Sequence, residues 1–324
     1  MQEARTDGFR SSIRAKKLSL HEEIGFSLEK VSASMGLLMF FRIALTFTAL
    51  ALVFCSQTQA QEKKFTASPG LQLYSLRSSF KLKGVPRTLD TVKSFGITNV
   101  ELAGTYDLSA EAFKQELSSR GLKAVSAHFP YARWKKEPEA VAQEAKALGL
   151  EYAGCAWADH KAPMDEPQAR EIAATFNKAG EALAKVGIKF FYHLHGFEFQ
   201  PWKDGETLAD LIIKETDPTN VKFQMDVLWV VFPGQDPVKL LEKYAGRWEL
   251  MHLKDLKKGV ATGDLSGKTD VENDVTLGTG QMNWPAILST AEKVGVKYYF
   301  IEDESSISEK QIPASVQFLG SVKW

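Results

Sequence analysis

Phe190-Phe191-Tyr192-His193-Leu194-His195, Phe223-Gln224-Met225-Asp226, Leu250-Met251-His252-Leu253-Lys254-Asp255 and Tyr298-Tyr299-Phe300-Ile301-Glu302-Asp303-Glu304 are four short apolar runs. Each ends in a group that can bind a metal or move a proton. A single terminal Asp or His after a buried strand is unremarkable. Four in sequence order, each followed by a helix-like segment, point to a site built at one rim of a parallel barrel.

Working outward, the same alternation holds from Ser68 onward. Candidate strands are Leu71–Ser75, Asn99–Ala103, Lys123–His128, Tyr152–Trp157, Lys189–His195, Lys222–Leu228, Glu249–Lys254 and Lys297–Glu302. Amphipathic stretches separate them: Pro86–Phe95, Ser109–Arg120, Glu137–Leu148, Glu166–Val186, Leu208–Glu215, Pro237–Tyr244 and Trp284–Val294. Gly96, Gly121, Gly149, Gly187 and Gly295 each follow such a stretch and precede an apolar residue, the pattern of a left-handed helix cap leading into a strand. Eight strand–helix units match a (β/α)8 TIM barrel, a single α/β domain over residues 65–324. A doubly wound open sheet is the competitor. It carries a glycine-rich phosphate turn after its first strand, which Leu73-Tyr74-Ser75-Leu76-Arg77 does not provide.

Residues 1–60 read as a leader outside the fold. Around 35–60, Arg42 precedes an apolar run from Ile43 to Phe54, and Ser56–Ala60 follows, the marks of a secretory signal peptide. The run is short for a membrane span. The expectation is export to the periplasm with no stable membrane insertion of the mature chain. An uncleaved anchor and a lipoprotein at Cys55 are the alternatives. The mature part holds one cysteine, Cys155 in an apolar segment, so no disulfide framework supports the fold.

The 324 residues include 40 Lys+Arg and 40 Asp+Glu, a formal net charge of zero, with no basic stripe interleaved with aromatics. Nucleic acid is therefore not an expected partner. Read as strand ends of a barrel, the candidate site residues are Arg77, Glu101, His128, Trp157, His193, His195, Asp226, His252, Lys254 and Glu302. Four of the six histidines fall in this set. Each has a competing structural role: an ion pair for Asp226 and Glu302, a helix cap for Glu101, core or loop packing for His252 and His128. Glu198 is either a site group reaching in from the loop or a solvated carboxylate.

At these residues the chain resembles the xylose isomerase-like superfamily of barrels, the sugar phosphate isomerases and epimerases. The resemblance covers nearly all of Ser68–Trp324 and is most specific at Tyr192–Phe199, Gln224–Trp229, His252–Asp255, Gly278–Trp284 and Ile301–Glu304. It implies one divalent metal, Mn first, with Mg, Co, Zn or Fe as alternatives. Three ligands carry over onto Asp226, His252 and Glu302. The strand-five slot, usually Glu, holds His193, with Glu198 just beyond it as the other choice. The implied chemistry is proton abstraction beside a carbonyl through an enediolate. Glu302 and Glu198 are the candidate bases, and Lys254 or His195 stabilises the oxyanion. Glu101, His128, Trp157 and Arg77 are expected to bind substrate.

An exported isomerase or epimerase of an unphosphorylated sugar follows, because no glycine-rich phosphate cradle is visible. A lyase or hydratase acting on 3-oxo-glycosides by β-elimination is the alternative. A non-catalytic carbohydrate-binding barrel is a third reading, and it predicts loss of at least one of Asp226, His252 and Glu302. A phosphodiesterase of the endonuclease IV type would need a larger ligand cluster and a basic surface. The expected partner is a small-molecule sugar, and a homo-oligomer is left open.

Overall fold

The computed structural model describes residues 62–324. The leader, with the signal-peptide, anchor and Cys55 readings, lies outside the described residues. Among the described residues no helix is long and apolar enough to cross a membrane.

Eight parallel strands close into a barrel: β1 (Gly70–Gln72), β2 (Asn99–Leu102), β3 (Lys123–His128), β4 (Tyr152–Cys155), β5 (Lys189–His193), β6 (Val221–Asp226), β7 (Trp248–Leu253) and β8 (Tyr298–Ile301). β1 pairs with both β2 and β8, which completes the ring. The expected alternation is therefore present, with most strands ending one to three residues earlier than their apolar runs suggest. The five glycines expected to cap helices all have positive φ, between 71° and 92°, and each lets the chain turn from a helix towards the next strand.

Three segments depart from the expectation. Leu73–Leu76 continues β1 as a 3-10 turn, and Arg77–Ser94 is helical across a kink at Gly84, whose φ is 76°. Val227–Val231 is a short helix where the apolar run suggests more strand, because the Asp226 side chain accepts from the Trp229 amide and caps it. Between β7 and β8, Asp255–Leu256 and Asp274–Val275 form a small antiparallel ribbon over the barrel mouth. Its base is tied by one carboxylate: Asp255 accepts from the amides of Gly278, Gly280 and Met282 and from Trp284 Nε1, at 2.8–3.2 Å. That accounts for the Gly278–Trp284 stretch. A Cβ on Gly280 would collide with the Asp255 carboxylate it wraps.

Inside the barrel, side chains are layered. Val125, Tyr152, Phe191, Leu250 and Phe300 form an apolar plug. Gly70 and Gly154 leave room for two of these rings: a Cβ on Gly70 would come within 2.5 Å of the Phe300 ring, and one on Gly154 within 2.6 Å of Phe191. Below the plug, Glu249 takes Tyr152 Oη at 2.5 Å and Lys189 Nζ at 2.9 Å, with Lys297 at 3.1 Å. Above it, a polar layer begins.

Two bulges set which residues reach that layer. Val100 pairs with Ala124 but Glu101 with Ser126, so Val125 is an extra residue in β3. Phe223 pairs with Trp248 but Gln224 with Leu250, so Glu249 is extra in β7. A one-residue shift reverses the facing of everything beyond it. It turns Ser126 and His128 inward together with Val125, and Leu250 and His252 inward together with Glu249.

Candidate metal centre and active site

The polar layer sits at the carboxyl ends of the strands, where a barrel of this kind carries its chemistry. Asp226 ends β6, His252 lies in β7 and Glu302 follows β8. Each offers one ligand atom, all within 4.8 Å of one another, and all three residues are buried. His252 Nδ1 lies 3.1 Å from Glu302 Oε2 and 3.7 Å from Asp226 Oδ2. His193 Nε2, from β5, lies 4.0 Å from the same Asp226 oxygen, and its ring centroid is 4.6 Å from that of His252. His128, His193 and His252 form a second, overlapping group of the same compactness.

The residues fit a divalent cation on two observations. Asp226 Oδ2 is buried with no hydrogen-bond partner, and an orphaned carboxylate oxygen in a core is costly unless a cation or donor meets it. Imidazole and carboxylate donors together also suit Mn, Fe, Co or Zn.

Glu101 lies beneath this group rather than on the cavity wall. Its Oε1 is 2.5 Å from His252 Nε2 and accepts from Gln72 at 2.7 Å. Its Oε2 accepts from Ser126 at 2.6 Å and Gln224 at 2.8 Å. Glu101 is therefore neither a helix cap nor a group presented to substrate. It orients the His252 ring so that Nδ1 faces Asp226 and Glu302. Gln224, two residues before Asp226 on the same strand face, also meets His193 Nδ1 at 3.0 Å and His128 Nε2 at 3.1 Å. Ser126 and Gln224 carry no signal in the sequence beyond standing two before His128 and Asp226, and Gln72 carries none.

The electrostatics follow from this packing. Burial opposes charge on Glu101, but His128 and His252 hold its carboxyl well below the usual range. Burial likewise opposes charge on His252, yet Glu302 and Glu101 raise it well above an ordinary imidazole. His193 goes the other way, pushed well down by burial and by His252. Lys254, buried at the end of β7, reaches Glu304 at 2.5 Å, Glu302 at 3.3 Å and Asp274 at 3.6 Å. These carboxylates overcome its burial and raise it.

A cavity of about 540 Å³ opens above the cluster. His128, His193, His195, Lys254, Glu302 and Glu304 stand on its wall. His195 stacks on Trp229 with ring centroids 4.6 Å apart, and its Nδ1 is buried without a partner. Burial and nearby Lys254 lower its pKa to about 3, so it is neutral. Glu304 and Asp274 are additions to the expected set. Asp303 and Glu304 follow Glu302 directly, but only Glu304 faces the cavity.

Three expected site residues are elsewhere. Glu198 is fully buried behind β5, where it accepts from Tyr192 Oη at 2.5 Å and from the His195 amide at 3.1 Å. Tyr192 alternates with His193 and so points away from the barrel axis. Glu198 is thus not brought to the cluster as ligand or base, and burial raises its pKa to about 7. Arg77 turns back along the rim, donating to the carbonyls of Tyr74 and Glu304 at 3.2 and 2.9 Å, outside the main cavity. Trp157 borders a smaller adjoining cavity.

Fold and site together define a (β/α)8 barrel with a His/Asp/Glu cluster at its catalytic rim. The family model for xylose isomerase-like TIM barrels matches residues 89–322, and the chain belongs to that family. Among curated relatives, inosose dehydratase from Clostridium botulinum is 26% identical over 188 residues, covering 52% of this chain and 62% of the relative. The chain thus spans less than two thirds of that protein. Inosose dehydratase from Geobacillus thermodenitrificans is 24% identical over 233 residues, covering 64% and 77%. Among solved structures, a sugar phosphate isomerase/epimerase from Parabacteroides distasonis is 25% identical, with 80% of this chain and 96% of that chain covered and a TM-score of 0.67.

Proposed function

We propose that this chain is an exported, divalent-metal-dependent lyase that eliminates water or another β-substituent from an unphosphorylated sugar or cyclitol ring bearing a carbonyl. The observation that carries this reading is the one-sided placing of the carboxylates. Glu302, Glu304 and Asp274 gather around Lys254 on the β7–β8 side of the cavity. Glu198, the carboxylate expected on the other side, is occupied behind β5. A set with one carboxylate side suits a reaction that removes one proton and expels a group. The dehydratase names of the curated relatives agree with it.

His193, Asp226, His252 and Glu302 would hold the metal, which when bound supplies Lewis-acid polarisation of the substrate's carbonyl. Glu101 fixes the ring of His252. Glu302 takes the proton from the carbon next to the carbonyl. The bond from the neighbouring carbon to its hydroxyl breaks, and the Lys254–Glu304 pair delivers a proton so that the group leaves as water. As the carbonyl re-forms, the electron pair left on the first carbon becomes a double bond to the neighbouring carbon, and where that first carbon carries a hydroxyl the resulting enol tautomerises to a second ketone. Lys254 is saturated by three carboxylates.

Isomerisation or epimerisation is the second reading, favoured by the Parabacteroides distasonis neighbour. Neutral His195, just past the end of β5, would then serve as the second proton carrier. Both readings share the first step, and the product separates them. The test is turnover of inosose and of 3-oxo-glycosides in heavy water by the metal-loaded protein, read by mass. Loss of one water or of the aglycone supports the lyase. Deuterium in a product of otherwise unchanged composition supports the isomerase. Activity that persists in Asp226→Ala with no bound metal would overturn both.

A further inference from the structure

A second cavity of about 270 Å³ adjoins the first at the rim. Trp157, His160 and Phe197 build one wall of it, with ring centroids 4.7 Å apart for Trp157–Phe197 and 4.0 Å for the stacked His160–Phe197 pair. Trp157 and His160 are only half-buried. The strap from Leu265 to Val271 runs between the two cavities. Gly267 borders the first, Ser266 the second, and Lys268 both. The strap lies close to the barrel because residue 267 has no side chain: a Cβ there would come within 2.9 Å of the Phe197 ring and 3.0 Å of the His195 carbonyl. Lys268 lines both cavities, so the two lie side by side at the rim.

We propose that this annex is a binding subsite for the second ring of a two-ring glycoside whose first ring lies over the His/Asp/Glu cluster. The proposal rests on the upper cavity being the reaction centre, as argued above. Partly open aromatic rings next to a cavity present an apolar surface to the C–H face of a sugar, while Lys268 and Gln200 offer donors to its hydroxyls. Nothing in the elimination chemistry uses Trp157, His160 or Phe197. A leaving group larger than water needs room beside the ring it leaves, and the annex supplies it.

The test measures binding rather than turnover, so that its failure is separable from failure of the reaction. Methyl β-glucoside is titrated against cellobiose, maltose and lactose on the metal-loaded protein by calorimetry. At least one disaccharide is expected to bind about tenfold more tightly than the one-ring probe. His160→Ala, which removes part of the aromatic wall, and Ser266→Trp, which fills the annex from the strap, should each erase that advantage while the one-ring affinity stays. If one variant does not fold, the other carries the test. Equal affinities for one- and two-ring probes, no binding of any probe, or an advantage that survives both variants would overturn the subsite. A protein that shows the advantage yet exchanges no deuterium keeps the subsite and loses the proposed reaction.

Discussion

His193 and Glu198 are five residues apart, and the barrel puts them on opposite sides of one strand. His193 faces the axis beside Asp226 and His252. Glu198 closes a buried pocket with Tyr192. His193→Ala is therefore expected to lower metal occupancy, measured by elemental analysis after dialysis. Glu198→Ala should keep its metal and instead lose about 1–3 kcal/mol of stability, because the Tyr192 hydroxyl is left buried without an acceptor. A folded Glu198→Ala protein that loses its metal would reverse the strand-five assignment. The cluster itself was legible: Asp226, His252 and Glu302 end apolar runs in sequence order, as strand-end residues at one rim of a barrel do. The role of Glu101 was not, because contact with His252 spans 151 positions and depends on barrel closure. Sequence spacing carries no sign of that.

Strands and helices were legible because their hydrophobic periods are regular over several residues. The ribbon of Asp255–Leu256 and Asp274–Val275 was not, since two residues establish no period. The bulges in β3 and β7 were equally silent, though they decide facing. The β7 bulge has a measurable consequence at the barrel floor. It places Glu249 among Tyr152, Lys189 and Lys297. Burial by itself would raise this carboxyl, but those partners bring it down from 4.5 to about 2. A group depressed on folding stabilises the fold above its unfolded value and loses that contribution as pH falls through its folded one. Discounted for the partly exposed lysines, Glu249→Gln should cost about 1–3 kcal/mol near pH 7. The gap to the parent should narrow from about pH 4.5 downwards and close near pH 2. Urea unfolding across that range reads it out, and a gap that does not change with pH would remove Glu249 as its source.

At the scale of the whole molecule, the two ends of the described chain hold each other. Lys63 N donates to the Trp324 carbonyl at 2.9 Å, Trp324 N returns the bond to Lys63 at 2.9 Å, and Phe65 N reaches Val322 at 3.2 Å. Phe65 then packs edge-on against Tyr299 of β8 with centroids 5.1 Å apart. This clamp begins two residues beyond the cleavage point proposed after Ala60. Processing there would remove the apolar run of Ile43–Phe54 and leave every clamp bond in place. We therefore expect exported protein to begin near Gln61, as read by N-terminal sequencing. A chain starting there should bind metal and unfold no more easily than the full one. Removing seven further residues, through Ala67, should cost about 2–4 kcal/mol, from three backbone hydrogen bonds and one aromatic contact. Exported material that begins at Met1 or at Cys55 would defeat the cleavage reading. A truncation through Ala67 with undiminished stability would show that the clamp does not brace β1 and β8, the seam where the barrel closes.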